Sequence, residues 1–187
     1  MNWMDVSVPL SPERPPWPGD VPFQYEETTT LAAGDEANGA RMTLSVHCGT
    51  HVDAPYHFVG GEITVDRLEP DLLVGPCLVI DLTGVERVIE PRHLRDKVPP
   101  GTRRLLAKTR NSTFVRDTVF HEDYVAFSEA SARWLAERGV RLLGIDYYSI
   151  APYESQPPTH VAFLGAGGAA VENLDLSGVE PGPHEIL

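Results

Sequence analysis

RRLLAKTRNSTFVRDTVFHEDYVAFSEASARWLAERGVRLLGID, residues 103–146, is the stretch on which the fold class turns. At its ends, RRLLAKT (103–109) and VRLLGID (140–146) are short, nearly continuous apolar runs of the kind found in strands buried on both faces. Between them SEASARWLAERG reads as a helix. Ser128 can cap its start, Ala130 shares a face with Trp134 or Leu135, and Gly139 supplies the stop. Strand, helix, strand is a βαβ crossover, which needs a parallel sheet. The intervening RNSTFVRDTVFHEDY is long for a simple connection, and loops of that length often serve a site.

Working outward, PCLVIDLTG (76–84) is a further buried strand and EPRHLRDK (90–97) a short helix. FQYEETTTL (23–31) and ARMTLSVH (40–47) carry Thr, Val and Tyr in partial alternation and are joined by the turn-rich AAGDEANG, so two neighbouring strands are expected there. The earlier LSPERPPWPGD lacks too many backbone donors to be core strand or helix. Trp17, set in that stiff arm, is either a plug over the core or a wall of a pocket. With 187 residues, 42% of them hydrophobic, the chain suits one α/β domain over residues 1–187.

Charge and cysteine content exclude several classes of function. The formal charge of −12 and the absence of any basic block argue against nucleic acid and against an anionic membrane surface, while bound cations would offset part of that acidity. Cys48 and Cys77 are too few for a disulfide scaffold, and their spacing resembles neither a zinc knuckle nor a redox pair. No signal-like segment opens the chain and no long apolar run crosses it, so a soluble, cytoplasmic protein is the expectation.

HCGTHVDAPYHF, residues 47–58, gathers His47, His51, Asp53 and His57 in a chain with only seven histidines. One helix cannot collect all four, because Asp53 falls roughly 200° beyond His51. One straight strand cannot either, since His47 and His57 would stand roughly 33 Å apart. Gly49 and Pro55 permit bends on either side of His51-Val-Asp53, so a strand end leading into a folded-back loop is expected. Any one of these residues alone would be an ordinary hydrogen-bonded polar group. Four together point to a metal, and imidazoles with a carboxylate and no thiolate suit catalytic zinc or manganese. A second region must complete the site. PTHVAFLGAGGAAVENLDL (158–176) is the candidate, with His160 at the head of an apolar segment and Glu172 in a later strand-like run, although on the residues alone His160 reads as a surface or capping residue and Glu172 as a solvated acid.

HCGTHVDAPYHF matches the HxGTHxDxPxH signature of the cyclase-like metal hydrolases, the family that includes bacterial kynurenine formamidase and isatin hydrolase. The resemblance extends to WPGD at 17–20, GID at 144–146, and His160 followed by Glu172. It implies an α/β domain with a β-barrel-like mixed sheet flanked by helices, assembled as a homodimer or larger oligomer. By the same resemblance His47, His51 and Asp53 bind one divalent ion, Asp53 and His160 a second, and Glu172 bridges both. His57 is then the acid and base, and Trp17 touches substrate. Two neighbouring cations need bridging carboxylates, which fits the placing of acids at Asp53 and Glu172.

The expected reaction is metal-dependent hydrolysis of an aryl formamide, N-formylkynurenine first, as in tryptophan degradation. The ions lower the pKa of water toward about 7 and polarise the carbonyl, while His57 relays the proton. Phe58, Tyr147 and Tyr148 join Trp17 as candidate walls of an aromatic pocket. The chain departs from the family after Asp146, where it reads YYSIAPYESQPP, and this leaves two alternatives open. One is a lactam or lactone hydrolase of the isatin or dienelactone type. The other is a metal-dependent small-molecule binding protein without turnover, which would have no use for the proton shuttle at His57.

Overall fold

Alternation within apolar strands sets the architecture. In the computed structural model, which describes residues 3–187, an outlying hairpin comes first: β1 (Gln24–Thr29) pairs antiparallel with β2 (Gly39–Thr43). Next come β3 (His51–Asp53), α1 (Pro70–Leu73), β4 (Gly75–Asp81), β5 (Val88–Ile89), α2 (Pro91–Leu94) and β6 (Arg104–Lys108). The chain continues through β7 (Ala126–Phe127), α3 (Glu129–Glu137), β8 (Leu142–Ile145), α4 (Gln156–Leu164), β9 (Ala169–Glu172) and β10 (Gly182–Ile186). Six strands form the main sheet in the order β10-β4-β6-β8-β9-β3; β4, β6, β8 and β9 are parallel, and the two edge strands run antiparallel to their neighbours. This is the mixed sheet flanked by helices that the resemblance implies.

The sheet is apolar on both faces. Ile80, Leu105, Ala107, Leu143, Ile145 and Ala170 join a core with Leu94 of α2, Leu135 of α3 and Phe163 of α4. The alternate residues Cys77, Val79, Leu106, Leu142 and Val171 face a second core with Leu72, Leu174 and Leu176. Period-two alternation with both faces covered produces the continuous apolar runs seen in the sequence. Gly144 lets β8 fit between its neighbours, because a Cβ there would lie 2.4 Å from Leu106 Cδ2 and 2.8 Å from Leu174 Cδ1. The expected crossover is present: β6 and β8 are adjacent and parallel, Ser128 Oγ accepts the Ser131 N–H at the start of α3, and Gly139 is left-handed just beyond its end.

Two elements differ from expectation. β2 ends at Thr43 rather than His47, because the Cys48 N–H bonds to the Ser45 carbonyl and Gly49, at φ +69°, turns the chain back. Residues 156–164, not foreseen as a helix, form α4; prolines 157 and 158 fall in its first turn, where their missing N–H groups have no intrahelical partner to lose. Both cysteines are free. Among the described residues, no helix is long and apolar enough to cross a membrane.

Candidate functional site

The antiparallel pairing of β3 with β9 sets His51 opposite Glu172 and Asp53 opposite Ala170. His51 and Asp53 are two residues apart on an extended strand and share its inner side, as their spacing requires. The bend at Gly49 returns His47 to them, and Pro55 opens a one-turn 3-10 helix that brings His57 alongside. From the other side, α4 contributes buried His160.

The ligand atoms converge. His47 Nδ1 lies 3.1 Å from Asp53 Oδ1 and 3.0 Å from His51 Nε2. His51 Nε2 is 3.5 Å from both Asp53 Oδ1 and Glu172 Oε2. His160 Nε2 is 3.3 Å from Glu172 Oε1 and 3.8 Å from Asp53 Oδ2. Two triads result, His47-His51-Asp53 and Asp53-His160-Glu172, each with ligand atoms within 4.8 Å of one another and with Asp53 in common. His57 Nε2 stands outside both triads, 3.8 Å from Asp53 Oδ2.

Backbone carbonyls fix the orientation of two rings. His51 Nδ1 donates to the Gly49 carbonyl at 3.0 Å and His160 Nδ1 to the Gln156 carbonyl at 2.9 Å, so each Nε2 is aimed inward. Glu172 Oε1 accepts the Ile150 N–H at 2.7 Å. The next residue, Asn173, is left-handed at φ 57°, a conformation uncommon outside glycine that persists only where surroundings hold it. Here its N–H bonds to the Tyr147 carbonyl, its carbonyl accepts the Thr50 hydroxyl, and its Oδ1 accepts from Arg14. The end of β9 is thereby tied to the loop carrying His51.

A cation fits this donor set. Asp53 is 2% exposed, yet neither carboxylate oxygen receives a hydrogen bond. An ionised carboxylate buried in that way costs several kcal/mol unless a positive charge faces it. In the chain alone, protons supply that charge. Burial opposes ionisation of His51, but the hydrogen bond and charge of Glu172, with Asp53, outweigh it and raise the pKa to about 9. His160 moves upward too: burial opposes its charge and is overcome chiefly by Glu172. His57 moves the other way, since burial and the charges of His47 and His160 outweigh the pull of Asp53. A neutral imidazole at the wall is suited to accept a proton.

A cavity of about 220 Å³ opens over the cluster, walled by Trp17, Phe58 and Tyr148 and reaching His47, His57, His160 and Glu172. Phe58 stacks on His160 with centroids 4.1 Å apart. Trp17 forms part of the wall while its ring centroid lies 5.3 Å from that of Phe120 and 5.4 Å from that of Tyr153, so it packs and lines at once. Tyr147, expected beside Tyr148, is not part of the wall. It is 2% exposed and packed behind against Tyr124, ring centroids 4.7 Å apart and tilted by 34°, with its hydroxyl accepting the His121 N–H at 2.7 Å. Adjacent residues leaving β8 point to opposite sides, and only Tyr148 reaches the cavity. The long loop after β6 likewise contributes Phe114 and Phe120 to the aromatic packing behind the wall rather than to the cavity.

Three lining residues were not foreseen: Asp20, Ser149 and Gln156. Gln156 lies one helical turn before His160, a spacing that would have identified it had α4 been recognised. Its side-chain amide bridges Ser149, Tyr124 and the carbonyls of Ala151 and Pro152.

Known proteins are similar to this chain over nearly its whole length. The family model described as "Putative cyclase" matches residues 4–152. A kynurenine formamidase from Bordetella avium (strain 197N) is 34% identical over 184 residues, covering 98% of this chain and 87% of the relative. Among solved structures, a potential metal-dependent hydrolase with cyclase activity superposes with a TM-score of 0.81 at 32% identity, covering 96% of this chain and 85% of the other. Isatin hydrolase A from Ralstonia solanacearum shares the fold at a TM-score of 0.79 and 23% identity, over 96% of this chain and 81% of its own.

Proposed function

The chain belongs to the cyclase family, and on that premise we propose that it is a metal-dependent hydrolase of a non-peptide C–N bond that cleaves N-formylkynurenine to kynurenine and formate. The observation that carries this reading is the pair of triads sharing the unpartnered Asp53 carboxylate, set at the floor of an aromatic cavity. Its kinship with a formamidase over 98% of the chain supplies the bond to be cleaved.

In this proposal His47, His51 and Asp53 hold one divalent ion and Asp53 with His160 a second, zinc or manganese being suited to imidazole and carboxylate donors. Glu172 would serve both sites, its Oε2 lying 3.5 Å from His51 Nε2 and its Oε1 3.3 Å from His160 Nε2. When bound, the ions supply Lewis acidity, polarising a formyl carbonyl and acidifying water.

The chain's own residues do the rest. Trp17, Phe58 and Tyr148 receive the aryl ring and narrow the cavity around it, excluding bulk water. His57 Nε2 takes the proton of the attacking water as the C–O bond forms, then returns it to the departing nitrogen as the C–N bond breaks. The products are an aryl amine and formate. Burial, with the charges of His47 and His160, lowers the pKa of that imidazole and favours the neutral form that can accept a proton. Tyr147 supports the wall from behind. A non-catalytic binding protein would have no use for such a base beside the ligands.

A homodimer in the cytosol completes the proposal. β1 is exposed along its whole length, and the arm that carries it also leaves Tyr25, Met42, Leu44 and Val46 exposed just ahead of His47, a surface suited to a second copy. The deciding experiment assays metal-replete protein against N-formylkynurenine, isatin and simple aryl formamides side by side. Formate release from the formamides, fastest with N-formylkynurenine, is expected. Ring opening of isatin without formamide cleavage would replace the proposal with a lactam hydrolase.

A further inference from the structure

Gln156 acts on both members of the buried His160–Glu172 pair without being a ligand. It opens α4, and its main-chain carbonyl accepts from His160 Nδ1 at 2.9 Å, which aims Nε2 at Glu172 Oε1, 3.3 Å away. Glu172 Oε1 also accepts the Ile150 N–H at 2.7 Å. Residues 149–152, which present that N–H, lie in no strand or helix, so the donor stays in place only through the groups that bind its loop. The Phe127 N–H holds the Ile150 carbonyl at 2.8 Å. The Ile150 N–H, however, belongs to the preceding peptide plane, shared with Ser149.

The Gln156 side chain fastens that part of the loop. Its Oε1 accepts the Ser149 hydroxyl at 2.6 Å, and its Nε2 lies 2.7 Å from the Pro152 carbonyl and 3.2 Å from the Ala151 carbonyl. Tyr124 closes the network, its hydroxyl accepting from Nε2 at 3.1 Å and donating to the Ala151 carbonyl at 2.6 Å. Gln156 borders the cavity, but its two N–H groups already face three acceptors and its oxygen a donor, so the amide is committed to the loop rather than to a guest. The other triad is built without it: His51 and Asp53 stand on β3, and the turn at Gly49 returns His47.

We propose that Gln156 is the positioning residue of the His160–Glu172 pair, orienting the imidazole through its main chain and holding, through its side chain, the N–H that fixes the carboxylate. That the pair then holds an ion rests on the metal-dependent reading above. Groups behind metal ligands are worth about 10- to 100-fold in affinity, and here the effect falls on one of the two sites.

Two measurements on Gln156→Met and Tyr124→Phe test this. Methionine keeps the chain length and the main-chain carbonyl while removing the amide. Phenylalanine removes only the hydroxyl that joins Nε2 to the Ala151 carbonyl, a milder change that serves if the first variant fails to fold. In metal-free protein, hydrogen exchange of the Ile150 amide, read by NMR, should be about tenfold faster in Gln156→Met and less so in Tyr124→Phe, with the amides of β6 and β8 unchanged. In calorimetric titration with zinc, one binding step should weaken by about 10- to 100-fold in Gln156→Met and by less in Tyr124→Phe, the other step changing little. Unchanged Ile150 exchange, or faster exchange throughout β6 and β8, would overturn the assignment. Equal weakening of both zinc steps, or no weakening of either, would overturn it as well and leave Gln156 as a brace for its loop. Release of the Ile150 amide in the variants of a protein whose wild type binds no zinc would refute the metal reading and leave the positioning of the pair standing.

Discussion

At a pH about one unit above the His51 value of about 9, replacing Asp53 by asparagine should make the metal-free protein more stable and the metal-loaded protein less stable. The side chain is 2% exposed and neither oxygen receives a hydrogen bond; its neighbours are imidazole nitrogens of His47, His51, His57 and His160 at 3.1 to 3.8 Å. About one pH unit above the His51 pKa of about 9, with a chelator present, that ring is about nine-tenths neutral and no longer faces the carboxylate with a full charge. Under those conditions Asp53→Asn removes a buried, unsatisfied charge and adds an N–H donor for the acceptors around it. Relief of one unsatisfied buried group is worth about 1–3 kcal/mol. At about 2–4 °C per kcal/mol for a chain of this size, the melting temperature should rise by about 2–12 °C. Added zinc reverses the order, because both triads lose their common ligand. The wild type gains about 4 kcal/mol for each site filled a thousandfold above its Kd, and the variant loses that gain. Thermal unfolding of both proteins, with chelator and with stoichiometric zinc, checks the inversion. A variant less stable than wild type in chelator at that pH would mean that the protein itself satisfies Asp53, and the inference of a cation from that carboxylate would fail.

His51→Ala should lose metal and activity together, whereas His57→Ala should keep the ions and lose about 10²- to 10⁴-fold in kcat, as read by elemental analysis beside steady-state kinetics. Equal loss of metal in both variants would make His57 a ligand. Trp17→Ala should raise KM more than it lowers the melting temperature, the lost aromatic contact being worth about 1 kcal/mol beyond burial; a large thermal loss with unchanged KM would assign Trp17 to packing alone. For the metal-free protein, His51 has a folded-state pKa raised from 6.5 to about 9, so its stabilising contribution is fully present below 6.5 and lost as pH rises through 9. Denaturant titrations across that window should show falling stability, and zinc affinity should rise over the same range as the competing proton leaves.

The crossover β6-α3-β8 was legible because its signals are local: apolar runs, a Ser128 cap and a Gly139 stop act within a few residues of themselves. α4 was hidden by prolines 157 and 158, which break a helix anywhere except in the first turn where they stand. Residues 47–57 announced themselves by composition, and the bends at Gly49 and Pro55 followed from the impossibility of a straight element. His160 and Glu172 were different. They lie more than a hundred residues away, and only the resemblance joined them to the cluster before β9 was seen to pair with β3. Tyr147 and Tyr148 show the limit of a sequence pattern at a strand end, where two adjacent aromatics cannot both face the cavity and nothing local says which one does. Asp20 lay within the WPGD stretch that the resemblance singled out, but nothing local placed it on the cavity wall, where its Oδ2 accepts the Ser45 hydroxyl.

Titration of zinc or manganese into metal-free protein, with formate release from N-formylkynurenine followed at each addition, tests the central claim most directly. Turnover should be absent at the start, rise with occupancy and saturate as two ions per chain are bound. Full formate release by the metal-free protein, or saturation with both metals without formate release, would contradict a metal-dependent formamidase built on Asp53.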